Sequence, residues 1–238
     1  MKIIPCSDYD DMSLRASAMI ISDLSKNPGR LLCAATGNSP RGLYGNLAAA
    51  YKERPETFRG LGVVKLDEWL GLPAGSKGSC EYYLQQQLIK PLSLNTERYI
   101  GFRQDTADAG TECKRVEGEI ALWGGIDWCV LGLGTNGHLG FNEPGDFLYP
   151  DSHKAVLAAN SRDHQMIRDD KVKPAYGLTL GMKPIMQSRR IILLLTGTGK
   201  QQAVSALLER TISSRLPASF LWLHPEAYCF RDMETTAS

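Results

Sequence analysis

The sequence predicts an α/β fold, a mostly parallel sheet covered by helices on both faces. Three observations carry this expectation. Short apolar runs alternate along the chain with longer amphipathic ones, the pattern of repeated strand–helix units. The short runs are apolar throughout rather than at every second position, as in RLLCAA (30–35) and RIILLL (190–195), which marks strands buried on both faces. With 238 residues and 43% hydrophobic side chains, the chain can form such a core as one domain, 1–238, without disulfides or metals.

The elements follow in order. Residues 2–5 read as a first, edge-like strand. Residues 8–27 carry Met12, Ala16, Met19, Ile20 and Leu24 at helical spacing, and Pro28-Gly29 stops them. Residues 30–35 form a buried strand. Pro40 then opens a helix through Leu43, Leu47 and Ala50, in the first-turn place that proline favours. Residues 63–66 are a strand, and Ser79 caps a helix that runs to about Lys90, where Pro91 limits it. Residues 107–123 are helical. IDWCVL (126–131) is a strand that enters a glycine-rich turn. Residues 178–180 are a short strand and 182–187 a short helix. RIILLL leads into a helix from Lys200 to about Arg210, and 220–223 and 228–230 are late strands.

Composition removes several function classes. Lysine and arginine number 27 against 26 acidic residues, so no basic excess points to nucleic acid. Pro5 and the acidic residues Asp8, Asp10 and Asp11 interrupt what a secretory leader would need. No apolar run reaches membrane-spanning length, so a cytoplasmic location without a membrane partner is expected. The six cysteines form no C-x-x-C pair. Cys33 and Cys129 lie in apolar runs and read as small buried hydrophobes, and no cysteine is predicted to be catalytic. His138, His153, His164 and His224 lack metal-ligand spacing, so no metal is expected.

In a parallel sheet the loops after the strands carry the ligand. Four of them bear polar chemistry. Thr36-Gly37-Asn38-Ser39-Pro40 joins a strand to a helix and has the outline of a phosphate cradle, with glycine for close approach, hydroxyls and a helix N-terminus. It also reads as a turn in which Ser39 caps the helix. In Lys65-Leu66-Asp67-Glu68-Trp69, either carboxylate could act as a general base, or the two could simply begin a solvated loop. The segment 131–145, LGLGTNGHLGFNEPG, gathers His138, Asn142 and Glu143 among glycines, a costly backbone that suits close approach to a ligand. Thr196-Gly197-Thr198-Gly199-Lys200 offers a lysine at a helix start, either a phosphate ligand or a surface residue.

Two motif matches fail on context. Gly132 to Gly137 spells G-x-G-x-x-G, yet Gly140, Pro144 and Gly145 follow where a dinucleotide fingerprint needs a helix. TGTGK approaches a P-loop, but residue 194 is Leu and Gln201 stands where a magnesium-binding hydroxyl belongs.

The set ATGNSP, KLDEW, LGLGTNGHLGFNEPG, AANSR, TGTGK and PASFLWLHP resembles the glucosamine-/galactosamine-6-phosphate isomerase (deaminase) family, collinearly over nearly the whole chain. NGH-x-x-FNEP with LDEW is similar to the deaminase branch. KLDEW, CVLGLG-x-NGHLG-x-NEPG and PASFLWLH look most like galactosamine-6-phosphate members. The resemblance implies a doubly wound, Rossmann-like sheet without a dinucleotide. It implies conversion of galactosamine 6-phosphate to tagatose 6-phosphate plus ammonia with no cofactor. Glucosamine-6-phosphate deaminase and a 6-phosphogluconolactonase-like hydrolase are the alternatives. It further implies that Asp67 moves the proton between C2 and C1, that His138 opens the ring and that Glu143 is its carboxylate partner. Thr36, Gly37, Asn38 and Ser39 would form the phosphate loop, with Arg162 and Lys200 as phosphate-binding cations. A small-molecule sugar phosphate is the expected partner, and assembly into a homo-oligomer stays open.

Two departures from the family pattern matter. Glucosamine-type members usually have Asp where this chain has Asn136, so ring opening is expected to draw on less negative charge here. The stretch between Phe147 and Arg162 looks shorter than in allosteric bacterial deaminases, and no activation by N-acetylglucosamine 6-phosphate is expected. A sugar-phosphate sensor would need an N-terminal DNA-binding segment that this sequence does not show.

Overall fold

The protein is represented by a computed structural model that describes residues 1–73, 75–162, 164–168 and 172–236. Ten strands are present among them: β1 (Lys2–Cys6), β2 (Leu31–Ala34), β3 (Gly62–Lys65), β4 (Asp67–Leu70), β5 (Tyr99–Ile100), β6 (Trp128–Gly132), β7 (His153–Val156), β8 (Tyr176–Thr179), β9 (Arg190–Leu195) and β10 (Ala227–Asp232). Seven of them form one sheet in the order β1-β10-β9-β6-β2-β3-β5, with every neighbouring pair parallel. The other three form a small antiparallel sheet, β4-β8-β7.

Alternation within the apolar strands splits the core into two layers. Leu31, Cys33, Val64, Cys129, Leu131, Ile191 and Leu193 face one side. Leu32, Ala34, Val63, Trp128, Val130, Ile192 and Leu194 face the other. The first layer is covered by α4 (Ala109–Leu122), α6 (Met182–Met186) and α7 (Gln201–Leu208). The second is covered by α1 (Tyr9–Leu24), α2 (Arg41–Glu53) and α3 (Cys80–Leu84), the last continued by a π turn, Gln85–Ile89. A sheet with both faces dry explains why its strands lack polar alternation. Side-chain caps fix three helix starts: Asp8 accepts from the Asp11 N–H, Ser79 from Tyr82, and Asp108 from Gly110 and Thr111. Among the described residues, no helix is long and apolar enough to cross a membrane.

Chain order creates the crevice. From β2 the chain steps to β3 and β5 on one side. It then returns to place β6 on the other flank of β2 and continues to β9 and β10. The loops that leave β2 and β6 therefore diverge at a topological switch point.

Several expectations need correction. Residues 220–223 are not a strand but part of a 3-10 helix, Pro217–Leu223. Proline starts that helix, and Trp222 Nε1 donates to the Leu207 carbonyl at 2.8 Å. Ser39 does not cap α2: Pro40 holds the cap position with no side-chain bond. The LDEW segment is not a loop but β4. Leu66 makes the transfer, since its N–H donates to Ala34 of the large sheet at 3.1 Å and its carbonyl accepts from Leu180 at 2.9 Å, beside the small one. The short strands β5 and β7 carried too little apolar pattern to be read, with only Ala155 buried in β7.

Leu193 sits in β9 between two strands and under helices, with no solvent access. Leu193→Ala should lower unfolding stability by about 3–5 kcal/mol, with an unchanged slope in a urea titration. A loss below about 1 kcal/mol would show that the layer closes over the gap.

Candidate active site

A cavity of about 650 Å³ opens at the carboxyl ends of β2, β3, β6 and β9. Of the residues singled out in the sequence, Thr36, Gly37, Asn38, Ser39, Asp67, His138 and Lys200 line it. Asn136, Glu143 and Arg162 are not among its lining residues.

Asp67 is the first residue of β4 and is 7% exposed. Its neighbour Glu68 points the opposite way along the strand and is fully buried. There Glu68 accepts from Lys65 Nζ at 2.7 Å and from the backbone N–H groups of Trp69, Cys80 and Glu81 at 2.9, 3.0 and 2.7 Å. Lys65, 1% exposed, also donates to Glu81 at 2.8 Å. Glu81 in turn accepts from the Tyr99 hydroxyl and from Gln85. Burial alone would lower the Lys65 ammonium, but the Glu68 and Glu81 carboxylates raise it above its usual value. Glu68 thus caps α3 and neutralises a buried lysine, so of the two adjacent carboxylates only Asp67 belongs to the cavity. Desolvation, then the Glu68 charge, raises the Asp67 carboxyl to about 7. The Cys80 thiol, which donates to Asp67 Oδ1 at 3.6 Å, together with His138 and Lys65, opposes that rise.

The glycine-rich segment after β6 does not open a helix, which removes the dinucleotide reading. It folds back so that the Gly134 N–H donates to the His138 carbonyl at 3.2 Å. A Cβ on Gly134 would lie 2.4 Å from the imidazole, so glycine here makes room for the ring. A Cβ on Gly140 would come within 2.8 Å of Thr179 Oγ1 and 3.4 Å of Asp67 Oδ2. Glu143 Oε2 lies 3.3 Å from His138 Nδ1, an ion-pair separation without good hydrogen-bond alignment. Burial would raise the Glu143 carboxyl, but His138, Ser161 and Asn136 together bring it down to about 2. Asn136 brackets the pair. Its amide donates to Glu143 Oε2 at 3.0 Å and its oxygen accepts from the His138 N–H at 3.2 Å. Asn142 is structural, since its amide donates to the Leu139 and Leu180 carbonyls, both at 2.9 Å.

The loop after β2 is held from outside the cavity. The Tyr9 hydroxyl donates to the Asn38 carbonyl at 2.8 Å and accepts from the Gly42 N–H at 2.7 Å. The Tyr83 hydroxyl donates to the Gly37 carbonyl at 2.5 Å. These braces leave the loop and the N-terminus of α2 facing the cavity. Lys200 stands at the start of α7, its ammonium makes no ion pair or hydrogen bond among the described residues, and burial lowers that ammonium from the usual lysine range. Arg162, at the end of the short α5 (Ala159–Arg162), is exposed. A different arginine, Arg41, lines the cavity as the first residue of α2.

Sequence reading also missed His164, Trp69 and Phe141, which line the cavity. The Trp69 ring lies 4.6 Å from Phe141 and 6.0 Å from His164. His164 Nδ1 accepts from the Met166 N–H at 3.3 Å, and burial, followed by the charges of His138 and Lys200, lowers its imidazole. Trp69 ends LDEW and Phe141 begins FNEP, so both lie in motifs quoted above, but spacing does not mark them as lining residues; no local motif marks His164.

This arrangement provides a buried carboxylate that titrates near neutrality, an imidazole backed by an ionised carboxylate, and a loop suited to an anion. A family profile described as glucosamine-6-phosphate isomerases/6-phosphogluconolactonase matches residues 11–229. A protein of Escherichia coli (strain K12) named "Putative deaminase AgaI" is 41% identical over 222 residues, 93% of this chain and 88% of that one. A glucosamine-6-phosphate deaminase of Geobacillus sp. (strain WCH70) is 34% identical over 239 residues, 98% and 94% of the two chains. Among solved structures, a monomeric glucosamine-6-phosphate deaminase of the NagB superfamily superposes with a TM-score of 0.93 at 31% identity, covering 98% of each chain. The 6-phosphogluconolactonase of Trypanosoma brucei reaches 0.78 at 20% identity, over 98% and 96% of the two chains, a likeness of fold alone. The chain is therefore an enzyme of the glucosamine-6-phosphate isomerase/6-phosphogluconolactonase family.

Proposed function

We propose that this enzyme isomerises and deaminates an amino-sugar 6-phosphate without a cofactor, with galactosamine 6-phosphate as substrate and tagatose 6-phosphate and ammonia as products. The observation that carries the chemistry is Asp67: one buried carboxylate, titrating near 7, exposed to the same cavity as His138. The galacto assignment rests on KLDEW, the NGHLG-x-NEPG segment and PASFLWLH. Glucosamine 6-phosphate is the second reading, favoured by relatives of that name at 34% and 31% identity.

In this reading the Thr36–Ser39 loop, the α2 N-terminus and Lys200 hold the phosphate. Arg162 would join them only by turning inward from its exposed position. The remote anchor positions the sugar's C1 and C2 at Asp67. His138 delivers a proton to the ring oxygen, and Glu143, held ionised, stabilises the imidazolium. Asp67 then takes the C2 proton and returns it to C1. The nitrogen at C2 becomes an imine, water adds, and the C–N bond breaks to give ketose phosphate and ammonia. A carboxylate raised to about 7 is a stronger base than an exposed one, yet is still ionised in half or more of the molecules above neutrality.

Ammonia and ketose-phosphate release should be measured side by side on both amino-sugar phosphates. Turnover is expected on galactosamine 6-phosphate, and Asp67→Asn should cut it about 100- to 10,000-fold. No ammonia from either substrate would overturn the reading. The acid limb of kcat/KM should fall near pH 7. Asp67 also has a stability signature. Its folded carboxyl binds a proton more tightly than in the unfolded chain, so stability falls as pH rises from about 4 to about 7, by up to about 4 kcal/mol. Asp67→Asn should therefore melt higher than the parent at pH 8 and converge with it near pH 4. Equal melting at both would place the carboxyl in water. Finally, Asn136→Asp adds a second negative charge beside His138 and should move the alkaline limb of the kcat profile upward; an unmoved profile would show that Asn136 is a bracket only.

A further inference from the structure

Cys80 is used by neither the proposed chemistry nor the core packing of the large sheet, yet it is buried against the base. It is the first residue of α3, fixed by its own N–H to Glu68 at 3.0 Å. Its Sγ lies 3.6 Å from Asp67 Oδ1 and 3.5 Å from Thr36 Oγ1. The three groups form a chain from the loop after β2 to the carboxylate, with the thiol buried between two cavity-lining residues.

The direction of that chain follows from proton counting. Burial, then the Glu68 and Asp67 charges, pushes the Cys80 thiol well above its usual range, so sulfur keeps its hydrogen. Ionised Asp67 has only lone pairs to offer and must accept it. Sulfur then has only an acceptor role left towards Thr36, whose hydroxyl is the donor. Each donor in such a chain strengthens the next.

We propose that Cys80 is a positioning residue that transmits the occupancy of the phosphate loop to Asp67. This rests on the reading of Asp67 as base and of Thr36 as a phosphate contact. In the empty enzyme Thr36 donates to Sγ, the thiol donates strongly to Asp67, and the carboxylate is held less basic. When a phosphate takes the Thr36 hydroxyl, Sγ loses its donor, the thiol's hold weakens and Asp67 becomes the stronger base. The base is thus strengthened when the substrate's anchor is seated. The other charged or titratable groups that act with Asp67 are Glu68 on its own strand, Lys65 on β3, His138 after β6, Cys33 on β2 and Tyr44 on α2. Among the described residues, none of these five bonds to Thr36.

The test reads the thiol itself and needs no turnover. The infrared S–H stretch of Cys80 is the band present in the parent enzyme and absent from Cys80→Ala. It should shift as Asp67 titrates near pH 7, with no such shift in Asp67→Asn. Above that pH, saturating inorganic phosphate, with binding confirmed by calorimetry, should move it toward a weaker hydrogen bond. The phosphate response should persist in Thr36→Ser and vanish in Thr36→Val. In turnover, Cys80→Ala should move the acid limb of kcat/KM upward, with about a three- to tenfold loss below it, while Cys80→Ser restores the limb. A band indifferent to pH, or one that responds to pH but not to bound phosphate, overturns the proposal. Failure of either amino-sugar phosphate to release ammonia would instead overturn the function, and the infrared result stands apart from it.

Discussion

A lysine and a glutamate almost out of reach of water meet at the point where the chain passes from the large sheet to the small one. The Lys65–Glu68 contact, 2.7 Å at 1% and 0% exposure, cannot be broken on one side without leaving a buried charge short of a partner, a cost of up to about 3–5 kcal/mol. Much else is referred to it. Glu68 caps the start of α3 by accepting from the Cys80 and Glu81 N–H groups, and Glu81 returns to Lys65 and ties in Tyr99 of β5. Because Glu68 is pinned behind β4, strand alternation directs Asp67 to the front. The catalytic candidate is thus placed by its neighbour's structural bonds.

That placement carries an energetic tension. Asp67 is held where its charge is poorly solvated and next to a second carboxylate, and among the described residues it makes no ion pair. Glu143 is the opposite case, a carboxylate surrounded by donors and held fully ionised. Two acidic side chains in one fold are driven apart in proton affinity by their surroundings, as the proposed division between a base and an imidazolium partner would require.

Most of the large sheet was legible in the sequence because a strand buried on both faces is apolar at every position, as RIILLL and IDWCVL are. The four polar loops were legible because strands of a parallel sheet deliver their following loops to one edge. What failed was what depends on long-range pairing. β7 is four residues long and buries only Ala155, so nothing local marks it. LDEW read as a loop because its partner strand lies more than 100 residues away, pairing Asp67 with Thr179. For the same reason the roles of Asp67 and Glu68 could not be separated from spacing alone. His164 is a lone histidine in sequence, and lines the cavity beside Gln165, whose side-chain oxygen accepts from the Asn38 amide at 3.2 Å. Asn142 illustrates the reverse. It stood among glycines beside a histidine and a glutamate, yet it serves the backbone.

Leu66 bonds at once to Ala34 on the large sheet and to Leu180 beside the small one. The loop after β2 and the imidazole belong to the first framework, and the Asp67 carboxylate to the second. A single residue therefore sets the separation between that loop and the carboxylate. Under the proposed function it would work as a ruler graduated in carbon atoms: a sugar phosphate one carbon shorter or longer would still be gripped at its phosphate but would present the wrong carbon to Asp67, so chain length would be selected before any hydroxyl is read.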